Sequence, residues 1–164
     1  MTTEDPLHDA IGGAIGRIPS GLFILTARYE DQRTGMLVSW VQQVSFKPPM
    51  VCAVIGKGRP IMPLISESRQ FGLCQLPKDD KILLRKFASG IDNNEDPFLG
   101  FDLLTDTRIG APILAQSLSY LECEVATHID VEGDHDLFVG RVISGAKLSD
   151  TEPFIHLRDS GFKY

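Results

Sequence analysis

The stretch that most constrains this chain runs from Thr34 to Pro49, TGMLVSWVQQVSFKPP. Thr34-Gly35 reads as a turn signal at its start. Lys47-Pro48-Pro49 closes it, because proline cannot donate to a β-ladder. In between, the apolar residues Met36, Leu37, Val38, Trp40, Val41, Val44 and Phe46 are interrupted by Ser39, Gln42, Gln43 and Ser45. Each buried hydroxyl or amide needs a partner, so a plain core strand is a poor match. A strand that bends, aiming backbone and short polar side chains at a polar ligand, accounts for the mixture. Trp40, the single tryptophan of the chain, could stack on a flat ring there. An ordinary strand and bend over the core is the other reading of the same residues.

A chain of 164 residues is long enough for one domain with a real core. Its 43% hydrophobic and 23% charged content is that of a soluble globular chain. The net charge of −6 disfavours non-specific binding to nucleic acid or anionic lipid. No apolar run approaches the roughly 18 residues of a membrane helix. The start, MTTEDPLHDAIGG, is acidic and lacks the long apolar run of a signal peptide. Cys52, Cys74 and Cys123 fall within apolar runs, an odd and scattered set that fits buried thiols in a reducing cytoplasm. With no CxxC or HExxH spacing, no metal motif is expected.

The hydrophobic pattern predicts strands at Leu22–Tyr29, Met50–Ile55, Gln70–Leu76, Leu118–Val131 and Asp136–Ala146, with a short one at Pro153–Leu157 and the start of another at Ile113–Leu114. Glu30–Thr34 reads as a hairpin loop. In Leu118–Val131, Leu121, Cys123, Val125, Thr127 and Ile129 share one face, and Glu122, Glu124 and His128 share the other, wetter one. Helices are expected at Pro60–Glu67 and Lys78–Ala88, the latter with Ile82, Leu83 and Phe87 near one face and Gly90 as its stop. Residues 1–10 read as loose or a short helix, and Ala10–Ile18 as a helix weakened by three glycines. Ile91–Phe101 is acidic and loop-like. The whole is mainly β with short helices, a single domain over 1–164, most simply a closed or split β-barrel.

Among residues able to carry chemistry, Lys57 and Arg59 lie in a loop with Gly56 and Gly58, just before a helix. Glycines let backbone approach an anion and the helix start adds positive potential. A solvated loop is the competing reading, and no Walker spacing is present. Lys86 is either a further cation for the same anion or a partner of its helix's C-terminal dipole. His135 is flanked by Asp134 and Asp136, whose charges favour imidazolium. It either orients a substrate or is a surface turn residue. His128 reads as inert, and His8 and His156 have no partner near in sequence. The absence of GxSxG leaves hydrolase chemistry unsupported.

Four segments in order, GMLVSWVQQVSFKPPMVCAVIGKGRP, FGLCQL, SYLECEV and GDHDLFVGRV, resemble the flavin reductase-like, FMN-binding split-barrel proteins. The likeness covers about Ile15 onward and is nearest to the flavin reductase domains of flavodiiron-type proteins. It implies an FMN-binding split β-barrel and a homodimer with FMN near the subunit interface. The implied activity is NAD(P)H-dependent flavin reduction, hydride passing from NADH or NADPH to FMN; the alternative is an FMN-containing electron-transfer protein without its own nicotinamide site. An electron-accepting protein partner is compatible with either. By position, the resemblance sets Leu37, Val38, Ser39 and Trp40 along the isoalloxazine edge, with Ser45 and Phe46 continuing that bed. It gives Lys57 and Arg59 the phosphate, puts Cys74, Gln75 and Leu76 beside the ring, and sets His135 near the nicotinamide. The sequence departs from many relatives, which carry Asn or Ala at Ser39 and Trp40 and Ser or Thr at Gln43. Without a GxGxxG, the nicotinamide would bind transiently on the open flavin face.

Overall fold

Ser39 and Trp40 join two strands that stand at opposite edges of one sheet. The computed structural model describes residues 5–92 and 94–164. Its elements are α1 (Pro6–Gly16), β1 (Ser20–Gly21), β2 (Phe23–Tyr29), β3 (Gln32–Val38), β4 (Val41–Ser45), β5 (Met50–Gly56), α2 (Ile61–Ser68), β6 (Gln70–Gln75), α3 (Lys81–Ala88), β7 (Ser119–Asp130), β8 (His135–Lys147) and β9 (Ile155–His156). Seven strands form a sheet in the order β3-β2-β6-β7-β8-β5-β4, all pairs antiparallel. A two-residue link spans at most roughly 11 Å, so β3 and β4 can be its two edges only if the sheet curls until they meet. The link is docked where the Trp40 carbonyl accepts a hydrogen bond from the Val54 N–H at 3.0 Å. The barrel is thus closed by chain, not by a β3–β4 ladder.

Both faces of the central strands are covered, which explains their unbroken apolar runs. Leu25, Ala27, Val51, Ala53, Ile55, Phe71, Leu73, Cys123 and Phe138 pack together on one face with Ile61 and Ile65 of α2. Ile24, Cys74 and Leu76 face the other way, against Leu83 and Phe87 of α3 and Phe98, Ile113 and Leu114 of the long connection. All three cysteines are buried and unpaired. Burial pushes the Cys74 thiol up to about 11 and that of Cys123 to about 12, so both are poor nucleophiles.

Several local expectations change. Thr34-Gly35 is not a turn but the middle of β3; the hairpin turns at Glu30-Asp31, with Glu30 at φ 52°. Gly35 is required by packing: a Cβ there would stand 2.9 Å from Phe87 and 3.2 Å from Phe98. Helix α1 begins at Pro6, because Asp5 caps it by accepting from the Leu7 N–H at 3.0 Å. Its glycines admit the chain's last segment: Gly161 N–H donates to Gly12 O at 2.6 Å, and Arg158 N–H to Gly16 O at 3.2 Å. Ile82 is 71% exposed, leaving Leu83 and Phe87 as the buried stripe of α3. Asp80 caps that helix through the Leu83 N–H, and Gly90 ends it at φ 80°.

The alternation expected of β7 holds through Val125. An irregularity between Val125 and Thr127 puts the extra residue Ala126 in β7 and shifts the side chains beyond it by one position, while that between Glu122 and Cys123 puts the extra residue Ile143 in β8. Glu122 keeps its expected face, opposite Gly72, but is buried because the Arg108–Ile109 segment covers that face, while Thr127 and Ile129 are exposed. Ile113–Leu114 yields only a bridge, Leu103 with Leu114, and β9 pairs with β1. The expectation of a loose start falls partly on residues 1–4, and that of an acidic loop partly on Asn93, outside the described residues. Among those described, no helix is long and apolar enough to cross a membrane.

Candidate functional site

A cavity of about 530 Å³ lies where β3 runs into the Ser39-Trp40 link, a size suited to a small-molecule cofactor. Thr34 to Trp40 form one wall, with Val54 and Gly56 of β5 and Arg59 to Ile61 at the start of α2. Leu84, Phe87, Gly90 and Ile91 come from the α3 side, and Phe154, His156 and Tyr164 from the final segment. The lining is largely apolar, as a buried flat ring requires.

Its polar groups are few. Ser39 is 5% exposed, and its hydroxyl has no hydrogen-bond partner among the described residues. A buried hydroxyl in the wall of a cavity calls for a ligand or water to satisfy it. Arg59 makes no ion pair or side-chain hydrogen bond among the described residues, and α2 starts directly after it without a side-chain cap. Cation and helix start together favour an anionic group. Gly56 makes room for a second convergence: a Cβ there would stand 3.6 Å from both Arg59 Nε and His135 Nε2.

His135 faces Gly56 across the β5–β8 ladder. Its Nδ1 lies 2.6 Å from Asp134 Oδ1, its Nε2 lies 2.6 Å from the Tyr164 hydroxyl, and its ring centre is 4.7 Å from that of Trp40. The hydrogen bond from His135 holds the Asp134 carboxyl below the usual carboxylate range. Burial raises the Tyr164 phenol above its ordinary value. Arg158 lies over Trp40 at 5.2 Å, a cation–π contact. Asp136 does not join Asp134 at His135. It is buried and turns to His128, whose Nε2 is 2.9 Å away.

Of the residues singled out from sequence, Leu37, Val38, Ser39, Trp40 and Arg59 line the cavity, and His135 adjoins it. The others lie elsewhere. Lys57 Nζ is 2.8 Å from Asp130 and 3.7 Å from Asp136, so its charge is already matched. Lys86 pairs with Glu95. Cys74 and Leu76 are fully enclosed in the second core, and Gln75 accepts from the Ser119 hydroxyl at 2.8 Å. Ser45 and Phe46 sit at the end of β4, with Phe46 89% exposed. Sequence reasoning missed Met36, Phe154, His156 and Tyr164. Met36 was within reach, since it is enclosed by wall residues once Gly35 is placed in the strand. The last three come from a segment more than a hundred residues away and leave no local signature.

The fold and cavity together define a small β-barrel, split at one seam, with a largely apolar cleft whose wall carries Arg59 and the unpartnered Ser39 hydroxyl. The flavin reductase like domain family matches residues 15–163, and the chain belongs to that family. It is 38% identical over 133 residues to diflavin flavoprotein A 1 of Synechocystis sp., covering 80% of this chain but 23% of that protein. The chain therefore spans about a quarter of the length of this relative. Among solved structures it is similar to the NADH:FAD oxidoreductase SgcE6 of Streptomyces globisporus, with a TM-score of 0.81, 25% identity, and 88% and 85% of the two chains covered. That protein is also known in complex with NAD and FAD fragments. The flavin reductase PheA2 is likewise similar, with a TM-score of 0.74, 26% identity, and 88% and 90% coverage. The chain is thus mainly β with three short helices, and matches the split barrels of flavin reductases.

Proposed function

We propose that the cavity holds FMN and that the protein is an NAD(P)H-dependent flavin reductase. The observation that carries this reading is the pairing, in one cavity wall, of the unpartnered Ser39 hydroxyl with the uncommitted Arg59 cation. In this reading Leu37 to Trp40 flank the ring, Arg59 and the start of α2 hold the phosphate, and His135 orients a nicotinamide ring. Bound flavin supplies the hydride-accepting chemistry; the protein's task is to bind, align and exclude water. Arg59 favours FMN over FAD because a terminal dianion suits a single free cation at the end of the site.

The unit of function in this reading is a homodimer of single-domain chains. β4 is an edge strand whose other side has no partner among the described strands. Val44 is 50% and Phe46 89% exposed along it. An unprotected apolar edge of this kind is what a second subunit covers. The second reading, an electron-transfer protein with fixed FMN, draws support from the diflavin relative, in which the matching segment is about a quarter of the chain.

Anaerobic mixing of the FMN-loaded protein with NADH and with NADPH, followed at the flavin absorbance band, tests the proposal. Bleaching with either nucleotide is expected. Bound FMN that neither nucleotide bleaches overturns the reductase reading in favour of electron transfer.

A further inference from the structure

The outward nitrogen of His135 is already taken. Asp134 offers only an acceptor, which fixes the proton on Nδ1, and leaves Nε2 to bond the Tyr164 hydroxyl at 2.6 Å. In the neutral ring Nε2 accepts from that hydroxyl; in the imidazolium it donates to it. Either way the one group that His135 could present to a ligand is engaged within the chain.

We propose that Tyr164 is a placeholder for the carboxamide ring of an incoming nicotinamide, occupying the His135 Nε2 and Trp40 positions until the dinucleotide displaces it. The inference rests on the reductase reading above. Two features of Tyr164 suit the role. Its hydroxyl both donates and accepts, as does a carboxamide, so the amide can replace it at Nε2 in either protonation state. Its aromatic ring lies 5.8 Å from Trp40, a position that a nicotinamide ring could take up on the same side chain.

The contacts that hold the final segment to α1 come from residues before Tyr164. Arg158 and Gly161 are bonded to Gly16 and Gly12 of α1, and Phe162 stacks on His8 with centroids 4.1 Å apart. Tyr164 itself is 70% exposed, and its side-chain hydrogen bond is the one to His135, so it can leave His135 without disturbing the helix.

The test uses FMN-loaded protein and two variants, Tyr164→Phe, which keeps the ring, and Tyr164→Ala, which removes it. Without nucleotide, the ¹⁵N resonance of His135 Nε2, assigned with His135→Gln, should move in both variants as the hydroxyl is lost. With NADH and NADPH, KM should fall by about fivefold or more in Tyr164→Ala, raising kcat/KM, because the ligand no longer competes with the side chain. A shifted Nε2 resonance with an unchanged or higher KM overturns the proposal, since Tyr164 would then only support the site. An unmoved resonance overturns the contact itself. Failure of the parent protein to bind FMN overturns the reading on which the proposal rests, and is told apart from the other outcomes because it is seen before any nucleotide is added.

Discussion

Lys57 Nζ lies 2.8 Å from Asp130 Oδ1, across the tip of the β7–β8 hairpin. The lysine that looks from sequence like half of an anion site is spent on the hairpin, while Arg59, two residues on, stays free at the cavity. The hydrogen bond to Asp130 raises the Lys57 ammonium above its ordinary value, so it stays charged but matched. Lys57→Ala should change FMN affinity by no more than about threefold, the scale of a solvent-exposed pair. Fluorescence titration of the variant checks this, and a loss as large as that caused by removing Arg59 would place Lys57 at the phosphate after all.

Glu122 is fully buried, and its Oε1 accepts from the backbone N–H groups of Arg108 and Ile109 at 2.8 and 3.0 Å. It pins the long connection that covers the second core. Glu122→Ala leaves two backbone donors without their acceptor, that of Ile109 buried, and should cost about 1–3 kcal/mol. Glu122→Gln keeps an acceptor and should cost less. Urea denaturation midpoints of the two variants, compared with the parent, give the ranking.

Arg33 forks onto Asp96, at 3.2 Å through Nε and 2.7 Å through a terminal nitrogen. This bond holds the Asp96 carboxyl below the usual carboxylate range. A depressed carboxylate stabilises the fold above its unfolded value, near 3.9, and loses that contribution as pH falls through its folded value. The pair should therefore be at full strength above about pH 5 and weaken below about pH 4. Asp96→Asn should cost roughly 0.5–1 kcal/mol at pH 7, the pair being a third exposed, and nothing more at low pH. Thermal melts of parent and variant across pH 3–7 should converge at the acid end.

Phe46, at the end of β4, is the most exposed large apolar side chain among the described residues. In the homodimer reading it is covered by the second subunit, in an interface above roughly 1,000 Å². Phe46→Asp should shift the light-scattering mass toward monomer and weaken FMN retention. A parent protein that is monomeric with FMN bound would remove the homodimer from the account.

The barrel was legible because its strands carry their own signals: Met50–Gly56 and Gln70–Gln75 are apolar on both faces and bounded by turn residues. The bend at Ser39-Trp40 was legible from misplaced polarity. Gly35 misled because a glycine demanded by the Phe87 ring looks the same in sequence as a glycine demanded by a turn. Glu122 misled because the face expected to be wet is covered there by the Arg108–Ile109 segment of the long connection, and nothing local announces it. Lys57 and Tyr164 depended on partners 73 and 29 residues away, which only the folded chain brings near.

The central claim is that Arg59 and the start of α2 receive the phosphate of FMN. Titration of flavin-free protein with FMN and with riboflavin, in the parent and in Arg59→Ala, tests it most directly. The parent should prefer FMN by about 1.5–3 kcal/mol, the scale of a charge-assisted bond. Arg59→Ala should lose most of that preference while binding riboflavin as before. Equal affinity of the parent for the two flavins would contradict the claim.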